Sequence, residues 1–164
     1  MKVLSVIVPT YNVEAYIGKC LDSLIVNRED LEVLVIIDGS KDKSCEIAKT
    51  YQDKYPSIFK IIEKENGHYG SCVNVGLSLA QGKYVKILDA DDFFNKDNFS
   101  SYLDFAADSD ADLLLSDSGV LKNGESSVFY SFDIPGNVLL SLERLDNKNL
   151  YDLPHQSIAY KRKS

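Results

Sequence analysis

Short apolar runs alternate with amphipathic segments along the first two thirds of the chain. The runs are rich in Leu and β-branched residues and lie at Val3–Val8, Leu31–Ile37, Ile58–Ile62, Tyr84–Leu88 and Ala111–Ser116. Near-continuous apolar runs of this length are typical of strands that are buried on both faces of a parallel sheet. The pattern therefore predicts five strands in one largely buried sheet.

Segments with helical spacing separate these strands. The predicted helices are Val13–Val26, Lys43–Tyr55, Ser71–Leu79 and Asp97–Ala107. Asn12 is placed to cap the first helix, and the second ends before Pro56. Strands that alternate with helices in this way form right-handed βαβ units. We therefore predict an α/β fold, an open, mostly parallel, doubly wound sheet with helices on both faces.

The pattern changes after Asp117, where the alternation of strands and helices stops. A hairpin and a short helix are predicted next, at Gly119–Leu121 with Ser127–Phe132 and at Val138–Leu145. The hairpin follows from Asn123-Gly124, a strong two-residue turn signal. We accordingly divide the chain into residues 1–118, an α/β half, and residues 119–164, a second part with a different pattern.

Four predicted strand ends carry polar residues. They read Pro9-Thr10-Tyr11-Asn12, Asp38-Gly39-Ser40, Asn66-Gly67-His68-Tyr69-Gly70 and Asp89-Ala90-Asp91-Asp92. Open α/β sheets bind ligands outside the carboxyl ends of their strands, so these loops predict one ligand site at that edge.

The acidic strand end points to a divalent cation. Asp89, Asp91 and Asp92 would repel one another, and a bound Mg²⁺ or Mn²⁺ would offset that repulsion. Such ions take oxygen ligands, with Mg²⁺ using one or two protein carboxylates and phosphate oxygens in other positions. The alternative is an acidic turn that caps the helix following Phe94.

Two further residues suggest a pocket for a nucleobase. Tyr11 offers an aromatic face for stacking, although it could instead pack on the first helix. Asp38 can accept a hydrogen bond from N3–H of uracil, which predicts UDP in preference to CDP. His68 is the histidine near these strand ends, and the alternative for it is a solvated side chain.

Charge and composition narrow the classes of function. The net charge of −7 on 164 residues argues against a nucleic-acid binder, which needs a basic surface. The three cysteines lack a CxxC spacing and predict reduced thiols in a cytoplasmic protein. No apolar run approaches the roughly 18 residues of a membrane span, so no transmembrane segment is predicted.

Four ordered motifs resemble the signatures of family 2 glycosyltransferases over residues 1–118. They are Val6-Ile7-Val8-Pro9-Thr10-Tyr11-Asn12, Ile36-Ile37-Asp38-Gly39-Ser40-Lys41-Asp42, Asn74-Val75-Gly76-Leu77 with Ala80-Gln81-Gly82-Lys83-Tyr84, and Leu88-Asp89-Ala90-Asp91-Asp92. The resemblance implies a GT-A fold, a nucleotide-diphosphate sugar donor (most often a UDP-sugar), and a divalent metal. It also implies that residues 1–118 are the nucleotide-sugar-binding half and that residues 119–164 are the start of an acceptor-side substructure, which is truncated here. It is closest to bacterial enzymes of capsule, exopolysaccharide or cell-wall polysaccharide synthesis.

The resemblance also implies roles for individual residues. The donor-binding set is Pro9, Tyr11, Asn12, Asp38, His68, Asn74, Asp89, Ala90 and Asp91, and the metal-binding set is Asp91, Asp89 and Asp92. The sequence departs from the family pattern at Ile37, where a second acidic residue is usual, and at Cys72-Val73, where Ala-Arg is usual. His68 would partly replace the missing cation.

The implied reaction is inverting transfer of a hexose to a saccharide or lipid-linked acceptor. Its general base is expected beyond Ser164, with Asp117 as the substitute within the chain. We therefore expect this chain to bind donor without full activity and to self-associate through its truncated face. The expected location is the cytoplasm, at the inner membrane surface through the acceptor or the missing C-terminal part.

Three other functions are alternatives for this sequence. A non-catalytic nucleotide-sugar-binding module would bind donor and never turn it over. A phosphatase of the haloacid dehalogenase type also uses Asp-x-Asp, but after its first strand and followed by Thr or Val, where this chain has Phe93. A sugar nucleotidyltransferase would need a Gly-rich, Arg-bearing loop in place of residues 9–12.

Overall fold

A computed structural model of the chain describes residues 1–122, 125–130 and 157–162. Its strands are β1 (Leu4–Thr10), β2 (Leu31–Asp38), β3 (Phe59–Lys64), β4 (Tyr84–Ile87), β5 (Leu113–Leu115), β6 (Ser118–Lys122), β7 (Glu125–Tyr130) and β8 (Ile158–Lys161). The helices are α1 (Ile17–Ser23), α2 (Ser44–Lys54), α3 (His68–Leu79) and α4 (Lys96–Asp108).

Six strands form one sheet in the order β3-β2-β1-β4-β8-β5. The first four pair in parallel, and β8 pairs antiparallel with both β4 and β5. This arrangement confirms the predicted open, mostly parallel sheet. The strand β8 was not predicted, because the sequence from Ser157 onward shows no clear strand boundary.

Helices cover both faces of the sheet, as predicted. On one face α1, α2 and α4 pack over side chains that include Val6, Val8 and Val35. On the other face α3 packs over Ile7 and its neighbours on β2. Every residue of β1 and β2 is buried, which is why the sequences of these strands are mostly apolar.

The first helix is shorter than predicted, and the predicted cap at Asn12 is wrong. The residue that precedes α1 is Tyr16, and its side chain makes no capping bond. Asn12 has a positive φ of 50°, and its side-chain Oδ1 accepts from the backbone N–H of Lys41, 2.8 Å away. The Asn12 side chain is thus used to join two loops, and α1 begins five residues later.

The third helix begins at His68 instead of Ser71, so His68 is a helical residue and not a loop residue. Gly67 and Gly70 favour a loop in the sequence, but Gly70 lies inside α3 with open space around it. The predicted hairpin is confirmed by the antiparallel pairing of β6 with β7. The helix predicted at Val138–Leu145 lies outside the described residues.

No helix in the described part of the chain has the length and apolar character needed to cross a membrane.

Candidate functional site

The loops that follow β1 and β2 hold each other in place at the carboxyl edge of the sheet. In addition to the Asn12–Lys41 bond, the Asn12 N–H donates to Ser40 Oγ at 3.2 Å. Tyr11, which directly follows β1, is 50% exposed. By contrast, Pro9 is buried inside β1, in register with Ile36. Exposed Tyr11 therefore lies next to Asn12, whose position is fixed by hydrogen bonds to the loop after β2.

A reciprocal pair of bonds extends this junction toward α2. The Glu14 N–H donates to Asp42 Oδ2 at 2.9 Å, and the Lys43 N–H donates back to Glu14 Oε2 at 2.8 Å. Asp42 also accepts from the Ser44 N–H in the first turn of α2, at 3.0 Å. The carboxylates of Glu14 and Asp42 accept hydrogen bonds from backbone N–H groups at the loop junction, so their role is structural.

Asp38 ends β2 and is only 4% exposed. Its Oδ1 accepts from Lys64 Nζ and from the Gly67 N–H, the latter at 2.9 Å. Burial by itself raises the pKa of the Asp38 carboxyl, but the bonds from Lys64, Gly67 and Cys72 outweigh burial and hold that pKa below its usual value. Asp38 is therefore an ionised carboxylate that is almost fully buried.

The loop after β3 lies directly against the loop after β2. Gly39 has a positive φ of 68°, and a Cβ placed there would stand 3.1 Å from the backbone N of Asn66. The Asn66 side chain donates to the Asp38 carbonyl at 3.0 Å. Glycine at position 39 thus allows both the left-handed turn and the close approach of the two loops.

The acidic segment after β4 forms a tight turn. The Asp92 N–H donates to the Asp89 carbonyl at 2.9 Å, and the turn is joined to β1 by the Leu88 N–H, which donates to Ile7. Ala90 is buried, whereas Asp91 is exposed and Asp89 and Asp92 are partly exposed. The turn presents Asp91 outward and keeps the two flanking carboxylates closer to the protein.

Helix α3 contacts this turn through Tyr69, whose hydroxyl donates to Asp89 Oδ1 at 3.0 Å. Burial, Asp89 and Asp92 together raise the pKa of the Tyr69 hydroxyl well above its usual value, so it stays protonated and able to donate. His68 precedes Tyr69, is exposed and has a positive φ of 66°. Asn74 is exposed on the same helix, about 9 Å farther along its axis than His68.

Helix α1 supports the acidic turn from the other side. Cys20 is 1% exposed, and its Sγ lies 3.8 Å from the Asp89 carbonyl. Burial, with the charges of Asp92, Asp91 and Asp89, raises the pKa of the Cys20 thiol well above its usual value. A buried, neutral thiol on α1 therefore lies against the backbone of the acidic turn.

The acidic turn suits a cation that takes most of its ligands from water and a bound phosphate group. The described residues contain no group of three or more His, Cys, Asp or Glu side chains that could hold a metal ion by themselves. Mg²⁺ typically uses one or two protein carboxylates and fills its other positions with water and substrate phosphates. Exposed Asp91 fits that type of site, with Asp89 and Asp92 beside it.

Three residues at this edge were missed by the sequence analysis: Lys64, Tyr69 as the partner of Asp89, and Cys20. The parallel pairing of β2 with β3 sets Asp38 opposite Lys64, so strand register was the signal that could have identified Lys64. Asp117, the predicted substitute base, is exposed just after β5.

Comparisons with known proteins bear on this arrangement. Residues 5–163 match the family described as "Glycosyl transferase family 2". The minor teichoic acid biosynthesis protein GgaB of Bacillus subtilis (strain 168) is 38% identical over 104 residues, which are 62% of this chain and 12% of that protein.

Two solved structures are also similar. S. aureus TarS 1-349 in complex with UDP-GlcNAc superposes with a TM-score of 0.71 at 30% identity, covering 98% of this chain and 45% of that one. The mannosyltransferase PcManGT from Pyrobaculum calidifontis, in complex with GDP-Man and Mn²⁺, gives 0.59 at 27% identity, covering 68% and 34%. The chain thus spans less than half the length of each of these relatives.

Proposed function

The chain belongs to glycosyl transferase family 2, and we propose that it binds a UDP-sugar for transfer of the sugar to an acceptor hydroxyl. The observation that carries this proposal is the acidic turn after β4, which lies at the same sheet edge as exposed Tyr11 and buried Asp38. The edge therefore combines groups for a base with groups for a cation and a diphosphate.

On this proposal the β1 and β2 ends bind the nucleoside. Tyr11 stacks on the base, Asp38 accepts from its N–H, and Asn12 and Pro9 shape the loop that carries Tyr11. The ion pair and backbone bonds of Asp38 support its role, because they keep it ionised and fixed before any ligand arrives. The UDP-GlcNAc in the TarS complex supports uracil as the base.

The β4 end and α3 bind the rest of the donor. Asp91 is the main metal ligand, with Asp92 beside it, and Asp89 and the Ala90 backbone meet the ribose or sugar hydroxyls. His68 and Asn74 line the side formed by α3. When bound, Mg²⁺ or Mn²⁺ offsets the negative charge that develops on the departing diphosphate. The Mn²⁺ in the PcManGT complex supports this choice of ion.

The acceptor and the setting complete the proposal. The sugar, a hexose, moves with inversion to a saccharide or lipid-linked hydroxyl, which a carboxylate base deprotonates. The name of GgaB supports a role in assembly of a cell-surface polymer. A cytoplasmic location is supported by Cys20, Cys45 and Cys72, which are all free thiols.

Calorimetry of UDP with the 164-residue chain tests the proposal, in Mn²⁺ and again in chelator. We expect tighter binding in Mn²⁺ and expect Asp91→Asn to remove most of that gain. The loss should be at least about tenfold, the lower end of what even an outer-shell partner contributes to a metal site. Asp53→Asn is the matched control, since Asp53 is an exposed carboxylate on α2.

Two results would contradict different parts of the proposal. Equal UDP affinity in Mn²⁺ and in chelator would contradict the metal-mediated site. Equal losses in Asp91→Asn and Asp53→Asn would show that only net charge matters, and would remove the assigned role of Asp91.

A further inference from the structure

Lys64 is a cation built into the wall of the proposed base pocket. It is the last residue of β3 and lies opposite Asp38 in the parallel register. Its Nζ pairs with Asp38 Oδ1 and also donates to the Glu65 carbonyl. The Lys64 side chain is 20% exposed and that of Asp38 is 5% exposed. An ammonium has three N–H donors, so these two bonds leave one for a further acceptor.

The backbone around this ion pair holds it in one arrangement. Gly67 donates its N–H to the same Asp38 oxygen, and a Cβ at Gly67 would stand 3.0 Å from Lys64 Nζ. Asn66 is bonded to the Asp38 carbonyl. The ammonium and the carboxylate are therefore adjacent and fixed, one as a hydrogen-bond donor and the other as an acceptor.

We propose that Lys64 is a specificity-determining residue of the nucleobase pocket, which donates to a base carbonyl while Asp38 accepts from the adjacent N–H. This inference rests on the proposed function. A donor beside an acceptor complements uracil, which presents N3–H between two carbonyls. When cytosine takes the same position as uracil, its unprotonated N3 faces Asp38 and its amino group replaces the 4-carbonyl that Lys64 contacts, so at that position it mismatches both residues. Thymine and guanine also offer an N–H next to a carbonyl and are accepted by the same pair.

The charge of the pair distinguishes this role from general attraction of phosphate. Lys64 and Asp38 together are neutral, and ion pairs of this kind add little long-range field at the surface. Their effect on a ligand is therefore directional. It follows that loss of Lys64 should change the choice between bases more than it changes the affinity for all nucleotides.

Competition calorimetry with UDP and CDP in Mn²⁺ tests this inference. We expect the wild-type chain to prefer UDP and Lys64→Met to reduce that preference by roughly 10- to 100-fold, the range for a hydrogen bond to a charged group. Lys60→Met is the matched control, because Lys60 is an exposed lysine on the same strand. It should keep the wild-type preference.

A second variant guards against misfolding, since Lys64→Met leaves the buried Asp38 carboxylate without its cation. Lys64→Met combined with Asp38→Asn removes both charges and should fold with no preference between UDP and CDP. Retention of the wild-type preference in either variant would overturn the inference. Equal weakening of UDP and CDP by Lys64→Met would also overturn it, by showing a nonspecific effect of charge.

These outcomes are distinct from failure of the proposed function. If the wild-type chain binds neither nucleotide in Mn²⁺, the UDP-sugar site itself is wrong, and this inference falls with it. If the wild-type chain prefers UDP and Lys64→Met does so equally, the site stands and only the role of Lys64 is wrong.

Discussion

Replacement of Lys86 tests the energetics of the core directly. Lys86 lies in β4, is 1% exposed, and points toward the face covered by α4. Its Nζ is 5.6 Å from the ring centroids of both Phe94 and Tyr102 and 3.4 Å from Ser116 Oγ. Burial lowers the pKa of the Lys86 ammonium from 10.5 to about 7. The aromatic rings and one long hydrogen bond thus only partly replace water around this amine.

The size and sign of the effect follow from that shift. A pKa lowered from 10.5 to about 7 corresponds to about 5 kcal/mol of destabilisation when the amine is charged, at roughly 1.36 kcal/mol per pKa unit. Between these two pH values the unfolded chain binds more protons at Lys86 than the folded chain does. The free energy of unfolding therefore rises with pH through this window, as far as Lys86 is concerned.

Lys86→Met replaces the amine with an apolar side chain of similar length. We expect the variant to be more stable than wild type at pH 6 by about 1–4 kcal/mol, the range seen when hydrophobic residues replace buried ions. At pH 9.5 most of the charge penalty is gone from the wild type, so the gain should fall by more than half. Urea denaturation of both proteins at both pH values measures this difference, and the subtraction cancels other ionisations.

Two results would refute the reasoning. A gain of equal size at pH 6 and pH 9.5 would mean that packing, and not the charge of Lys86, limits stability. A loss at pH 6 would mean that the contacts with Phe94, Tyr102 and Ser116 outweigh burial of the amine. Lys60→Met, which removes an exposed lysine from β3, should show no pH-dependent change and serves as the control.

Two further variants probe packing and the acidic turn. Gly82→Ala would place a Cβ 2.5 Å from the backbone N of Ser5, so urea denaturation should show a loss of about 1–3 kcal/mol, while Gly70→Ala, with open space in α3, should show none. Tyr69→Phe removes the bond to Asp89 and should weaken UDP binding in Mn²⁺ by roughly tenfold but leave binding in chelator unchanged, as calorimetry can measure. Equal loss in both conditions would show that Tyr69 acts on the fold and not on the acidic turn.

The sheet could be predicted because its central strands are buried on both faces. All eight residues of β2 are buried, and five consecutive apolar residues, Val33–Ile37, mark the position of this strand in the sequence. The short β8 has no such signal. Its four residues are held by pairing with β4 and β5, and its register with Tyr84 depends on residues more than 70 positions apart.

The predicted first residues of α1 and α3 were wrong for a different reason. Local sequence preferences compete there with tertiary contacts. An asparagine before an amphipathic segment favours a cap, but Asn12 instead bonds the Lys41 backbone across the loop junction. Likewise, two glycines around His68 favour a loop, yet α3 runs through Gly70. Asn12 thus bonds a residue 29 positions away, and in the first turn of α3 Tyr69 bonds Asp89, 20 positions away.

The candidate site could also be predicted only in part, because some of its features depend on local sequence and others on contacts between distant residues. Which residues stand at the strand ends could be read from the sequence, since a strand's apolar run ends where its polar loop begins. Which of them are already bonded could not: Asp38 is held by Lys64 and Gly67, and Asp89 by Tyr69. Those bonds arise only when the ends of β2, β3 and β4 meet the start of α3 at one edge.

This difference in bonding makes the two halves of the proposed site energetically separable. The nucleoside side is organised by the protein itself, through the Asp38–Lys64 pair and the Asn12–Lys41 junction, so its groups need little reordering when a ligand binds. The acidic turn instead presents Asp91 to solvent, and a hard cation there takes most of its ligands from water and phosphate. Binding measured in chelator therefore reports on the nucleoside side alone. Variants of Lys64 must act in that condition as well as in Mn²⁺, whereas variants of Asp91 should act only when Mn²⁺ is present.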